Sequence, residues 1–395
     1  MKKRDRAAAA AILALILVCA PAIAQDKGSS QGRALSNTEM FMTGADANRI
    51  DVVLHFLAKG VDPNVRGKNG FTALMVAAGK GSLEVAELLL ARGADVNLAN
   101  DEGLTALMQA IRRGRQEVAD RLLRAGARLD VREKRYGLTP LMIAAKADSP
   151  NLVSALLAKG AEIDAADTRS GLTALHLALA STALKSPLIV GELLVRGADA
   201  GKAATDGFTP LMAAVRSGSV DKAMLILSEE PDVNSTTKDG RTALSIAAGA
   251  GKPELVRHLL TAGARPVPAR GVASPLAQAV RGGSLDAVKL LVEARADVDR
   301  PGRDGRTPLI LAVLGGHDEI VRLLLDRGGK ANIRNTKDGT TALMWAANTG
   351  RRSLVELLLK HGADAKIAAK DGWTAGEAAR VAGHEEIARL LERRI

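Results

Sequence analysis

Aromatic side chains are scarce in this 395-residue sequence: four Phe, two Trp and one Tyr, or 2% of the whole. A globular enzyme of this length generally builds its core around several aromatic clusters, and so few rings argue against one here. Apolar residues still make up 47%, so alanine and leucine must fill the core, which suits thin layers of short, closely packed helices. Cysteine is nearly absent as well. The single Cys19 falls within the first 24 residues, and if that segment is removed, disulfides and thiol catalysis are excluded from the mature chain. The apolar run of the leader, Ala7 to Ala20, is shorter than the ~20 residues of a membrane-spanning helix.

That run has a particular setting. Lys2, Lys3, Arg4 and Arg6 precede it, and Ala22-Ile23-Ala24 follows as a small-x-small sequence before Gln25. Basic start, apolar middle and small-residue end form the pattern of a secretory signal peptide cleaved after Ala24. A lipidated Cys19 is disfavoured by Val18, which stands where a lipobox wants Gly, Ala or Ser. Removing the leader's four bases and one acid changes 55 bases and 44 acids to 51 and 43, a net charge of +8. Such a basic surface without a long run of like charge suits an acidic protein, a cell-wall polymer or lipid head groups. Nucleic acid, which an exported protein rarely meets, is not expected.

Past a polar linker over 25–35, the sequence repeats itself. Gly70-Phe71-Thr72-Ala73-Leu74 recurs as Gly103 to Leu107, Gly137 to Leu141, Gly171 to Leu175, Gly207 to Leu211, Gly240 to Leu244, Gly305 to Leu309 and Gly339 to Leu343. Degenerate copies stand at Ser274-Pro275-Leu276 and Gly372 to Gly376. From Thr72 to Thr374 the steps are 33, 34, 34, 36, 33, 32, 33, 34 and 33 residues, a periodicity that chance does not produce. Each period carries the same local logic. Thr72 can cap a helix whose first position is Ala or Pro. Leu74, Ala77 and Ala78 then line one face, Gly81 ends the helix, and Val85, Leu88 and Leu89 line a second. Gly93 closes it in the left-handed conformation that glycine adopts most easily.

With Thr-Pro-Leu-x-x-Ala-Ala and Gly-Ala-Asp-Val-Asn both in place, the chain resembles the ankyrin repeat family over residues 36 to 395. The resemblance implies an all-α dominated repeat solenoid, of helix-turn-helix units joined by β-hairpin turns. The family's histidine after the anchor leucine survives only at His176. Met75, Met108, Met142, Met212 and Met344 mostly replace it, and its role in the family is structural. An N-terminal cap over 36–66 is expected, with Ile50, Val53, Leu54 and Leu57 on one helix. Ten anchored repeats follow over 67–395, the last made polar by Glu377, Arg380, Glu385, Arg389 and Glu392, as an open end requires.

The middle is less regular. Three extra residues enlarge the loop from Ser181 to Pro187, and one is missing near Pro266 to Ala273. Glu230 and Arg295 replace closing glycines, each costing about 1 kcal/mol or more if the left-handed state is kept. Together these mark 228–300 as the stretch expected to bend or open first.

No catalytic constellation emerges. Gly28-Ser29-Ser30-Gln31-Gly32 spells a nucleophile-elbow pattern in a polar tail, without the strand and helix that the elbow needs. The six histidines lack the i, i+4 spacing of a zinc helix. No phosphate-cradling Gly-x-x-x-x-Gly-Lys-Ser/Thr occurs. No metal, cofactor or catalytic residue is therefore expected, and the chain reads as a non-enzymatic, monomeric interaction module or scaffold in the periplasm or outside the cell. A cell-envelope adaptor for peptidoglycan or lipid head groups, and an exported effector acting on host proteins, stand as alternatives.

Partner binding, as the resemblance implies, uses the hairpin side and the concave face of the first helices. The matching positions are Phe71, Leu104, Leu138, Leu172 and Phe208 before the threonines. Lys80, Arg112, Arg113, Lys146 and Arg216 stand at the first-helix ends. An apolar line beside a basic line would suit an acidic, partly apolar segment of a protein partner.

Overall fold

The computed structural model describes residues 35–267 and 274–393. The expected signal peptide, the expected linker up to residue 34, the Gly28 to Gly32 pattern and most of the Pro266 to Ala273 connection lie outside them. The chain divides into two compact bodies, residues 1–162 and 163–395. Among the described residues there are 22 α-helices, arranged as pairs.

The anchor threonine sets each pair. Its backbone is extended and its hydroxyl accepts the N–H three residues on, as at Thr72 to Met75 (3.4 Å), Thr209 to Met212 (3.3 Å) and Thr307 to Ile310 (3.2 Å). One otherwise unpaired helix donor is satisfied per repeat, worth about 1 kcal/mol. Pro140, Pro210, Pro275 and Pro308 occupy first helical positions. In the first body, the helix Ala73–Lys80 buries Leu74, Met75, Ala77 and Ala78, and its partner Leu83–Ala91 buries Val85, Ala86 and Leu89. Each first helix packs on its own second helix and, within a body, on the first helix of the next repeat. Within each body the core is thus a layer of small and branched apolar side chains between the first and second helices. Few rings are needed because alanine lets the backbones approach closely.

The connecting hairpins are looser than the resemblance implies. Among the described residues they form one isolated bridge, Ala99 with Thr105, and no regular strand. Consecutive repeats are instead tied by side-chain rungs. Asn64 Nδ2 donates to Gly93 O (3.1 Å) while its Oδ1 accepts Asp95 N (2.7 Å). Asn97 does the same to Gly126 and Arg128, and in the second body so do Asn234 and Asn332.

Within the expected bounds of 36–66, the N-terminal cap holds two helices rather than one. A helix Asn37–Asp46, started by a Ser36–Glu39 capping box, precedes Ile50–Ala58 and buries Phe41 completely. In the second helix Val53 and Phe56 face inward, whereas Ile50 and Leu54 are exposed. At the other end, Thr374 and Glu377 form a capping box, and Arg380 pairs with Glu392.

The enlarged loop in the second body has its own support. The helix Ala174–Ala180 ends at Ser181 in an extended conformation, so no left-handed residue closes it. Lys222 fills the gap. Its ammonium, in a side chain only 3% exposed, donates to Ala178 O (3.2 Å), Leu179 O (3.3 Å) and Ser181 O. Cationic donors at a helix C-terminus satisfy its carbonyls and its dipole together. At the matching position other repeats carry Val85, Val118 or Leu255.

Candidate partner-binding site

The structure divides the sequence-derived residues between the two bodies. In the first, Lys80, Arg112, Arg113 and Lys146 are exposed at the ends of their helices, Phe71 and Leu138 are half-buried, and Leu104 is 4% exposed. In the second, Leu172 is half-buried, Arg216 is exposed and Phe208 is only 6% exposed. Of the expected apolar line, Leu104 and Phe208 are thus packed into the core layer, Leu104 showing only an edge at the surface. Phe208 lies under its own repeat's Arg216, whose guanidinium stands 4.3 Å from the ring centroid. Lys80 is occupied too, 3.0 Å from Asp46 in an exposed pair.

Four of the expected residues do converge. Leu104, Arg112, Leu138 and Lys146 line a recess of about 650 Å³ in the first body, together with Glu102, Glu133, Lys134, Arg135, Tyr136, Ile143 and Ala147. Its shape comes from a hairpin that Glu133 organises. The buried carboxylate accepts the backbone N–H groups of Arg135 (2.7 Å), Tyr136 (2.7 Å) and Leu138 (3.2 Å). Lys134 N donates to Glu102 O at 2.8 Å, locking this hairpin to the one before it. With Glu133 so engaged, the outward charge of the recess is mainly positive.

Tyr136, the chain's only tyrosine, stands half-buried in this recess. The Arg135 guanidinium is 5.1 Å and the Lys146 ammonium 5.9 Å from its ring centroid, within cation–π range. Sequence reasoning missed Tyr136, although it sits in a hairpin lengthened by one residue, and that was the available signal.

His176 has the structural role the resemblance implies. It is 1% exposed, with Nδ1 3.0 Å from Thr173 Oγ1 and Nε2 3.1 Å from Phe208 O. Burial pushes its pKa below the ordinary histidine value, against the smaller upward pull of the Phe208 carbonyl and of Asp167 and Asp206. At two of the methionines that replace it the sulfur takes over one bond: Met142 Sδ and Met344 Sδ accept Thr139 N (3.5 Å) and Thr341 N (3.4 Å). Among the described residues no three His, Cys, Asp or Glu side chains gather as metal ligands.

Capped helix pairs stacked through alanine-rich faces define a repeat protein whose exposed hairpins and helix ends present recesses to other molecules. A family model described as ankyrin repeats in three copies matches residues 41–133, 126–189, 180–270, 267–335 and 328–394. The chain belongs to the ankyrin repeat family. No curated protein matches it significantly. The family is one of protein–protein interaction modules, typically without enzymatic activity. No described helix is long and apolar enough to cross a membrane.

Proposed function

We propose that the chain is an exported binding module whose first body captures an acidic, partly apolar segment of a protein partner. The observation that carries this reading is the recess around Tyr136, apolar along Leu104, Leu138 and Ile143 and flanked by Arg112, Lys134, Arg135 and Lys146. An apolar side chain with an acidic neighbour would fill it, and the surrounding cations would steer the approach and make it salt-dependent.

The test uses the mature chain and a labelled peptide carrying leucine or phenylalanine between aspartates. Charge reversal by Arg112→Glu, Arg135→Glu and Lys146→Glu together should weaken binding at least about tenfold, equivalent to about 1.4 kcal/mol. Lys80→Glu, at an occupied lysine, is the control. Equal binding by the triple variant, with its circular dichroism and melting unchanged, would overturn the reading. Export is supported by the leader pattern ending at Ala24. It predicts a mature N-terminus at Gln25, and an unprocessed chain isolated from the native cells would count against it.

A further inference from the structure

We infer that the second body carries a separate docking slot, at its two tryptophans, for an arginine side chain of a partner protein. Trp345 and Trp373 are the only tryptophans in the sequence, and both line one recess of about 190 Å³ with Thr340, Asn348 and Asp371 among its walls. That volume is below the ~300 Å³ at which pockets for drug-sized ligands begin. It suits the head of one side chain.

Three observations select a planar cation. First, the other aromatic ring that precedes a capping threonine in this body is covered by a cation. Phe208 has Arg216, seven residues after Thr209, with the guanidinium 4.3 Å from the ring centroid. Trp373 occupies the same place before Thr374, but seven residues after Thr374 stands Val381, itself 70% exposed. Trp373 is left 42% exposed, and no cation is found over its ring among the described residues. Second, Arg306 already stands 6.0 Å from the Trp345 ring centroid, but the lining of the recess itself contains no cation and one carboxylate, Asp371. Asp371 Oδ1 accepts Trp373 N at 3.2 Å, which leaves Oδ2 for an incoming donor. Third, the walls are anchored. The Trp345 indole Nε1 donates to Thr340 Oγ1 at 3.1 Å, and the backbone that carries Trp373 is fixed by its carbonyl, which accepts Ala369 N at 2.8 Å. A guanidinium can stack on an indole and hydrogen-bond a carboxylate at once, whereas an ammonium offers only a point charge.

Because the slot holds both tryptophans of the chain, tryptophan fluorescence, excited selectively over Tyr136, reports on it. Titrating the mature protein with tri-arginine amide should give a saturable emission change, and tri-glutamate amide none. Asp371→Asn keeps the oxygen that accepts Trp373 N and removes only the charge. It should weaken the tri-arginine response about fivefold or more without altering the melting curve, and Trp373→Ala should abolish it. An absent response to tri-arginine, an unchanged response in Asp371→Asn, or an equal response to a neutral oligosaccharide would each overturn the assignment. The recess at Tyr136 contains no tryptophan, so the two docking readings fail or survive independently.

Discussion

Replacing Glu230 and Arg295 by glycine should stabilise the second body by about 1–2 kcal/mol in total. Both residues close a second helix with positive φ, +50° and +63°, where the glycines at Gly93, Gly126, Gly197, Gly263 and Gly328 adopt 84° to 88°. The smaller angles lie in the narrow left-handed region that L-residues tolerate. A Cβ built on those five glycines meets nothing within 4 Å, so the penalty at Glu230 and Arg295 is one of backbone conformation, not of crowding. That penalty is about 1–2 kcal/mol per residue. Glycine returns roughly 0.4–1 kcal/mol of it through the greater freedom of the unfolded chain. The net is about 0.5–1 kcal/mol per site, and the two sites are far enough apart in the chain to add. For a body of this size the melting temperature should rise by about 2–8 °C. Hydrogen exchange should slow first in Val220–Leu227 and Leu285–Glu293. An unchanged or lowered melting temperature would refute the backbone argument. Uniform protection across all repeats of the unsubstituted protein would remove 228–300 as the place where opening begins.

Other perturbations test other parts of the structure. Gly207→Ala places a Cβ 2.7 Å from Thr236 O at a φ of +81°, so it should cost about 3 kcal/mol in urea denaturation, against about 1 kcal/mol for Gly93→Ala. Lys222→Met leaves the carbonyls of Ala178, Leu179 and Ser181 without their ammonium donor. Relief of the buried charge offsets part of the loss, leaving a net destabilisation of about 2 kcal/mol; a variant as stable as the parent would refute the capping role. Buried neutral, His176 has a pKa below the ordinary value of about 6.5. The unfolded chain then binds the extra proton, so the stability this residue contributes is complete above about pH 6.5 and declines as the pH falls through that value. Denaturation midpoints compared at pH 7.5 and 5.5 should show the slope, and His176→Met should remove the part due to this group.

Much of the architecture was legible because each repeat declares it several times over. The threonine cap, the i, i+3, i+4 apolar spacing and the closing glycine agree with one another, and even the left-handed Glu230 and Arg295 follow from register alone. The extra N-terminal helix was legible in principle from Ser36 and Glu39, a capping box without the anchor leucine. What could not be read was burial at the residue before each threonine. Leu104 and Phe208 look alike in sequence to half-exposed Phe71 and Leu172, and only the neighbouring repeat decides how far each is covered. Lys222 was hidden for a related reason. A lysine in an otherwise apolar register reads as a fault until the enlarged loop around Ser181 brings open carbonyls to it. The meeting of Trp345 and Trp373 required the stacking of two repeats, which periodicity implies but does not display.

The asparagine rungs bear on how the molecule ages. Deamidation turns asparagine into aspartate, which keeps the acceptor oxygen and loses the amide donor. Two positions already show the outcome: Asp164 accepts Asp199 N at 3.1 Å and Asp299 accepts Lys330 N at 2.8 Å. Conversion at Asn64, Asn97, Asn234 or Asn332 would leave such a half-rung, giving up the bond to the glycine carbonyl but keeping the one to the following backbone N–H. Damage of this kind would weaken the joins between neighbouring repeats one bond at a time, and a long-lived chain could accumulate several such conversions before any single join was lost.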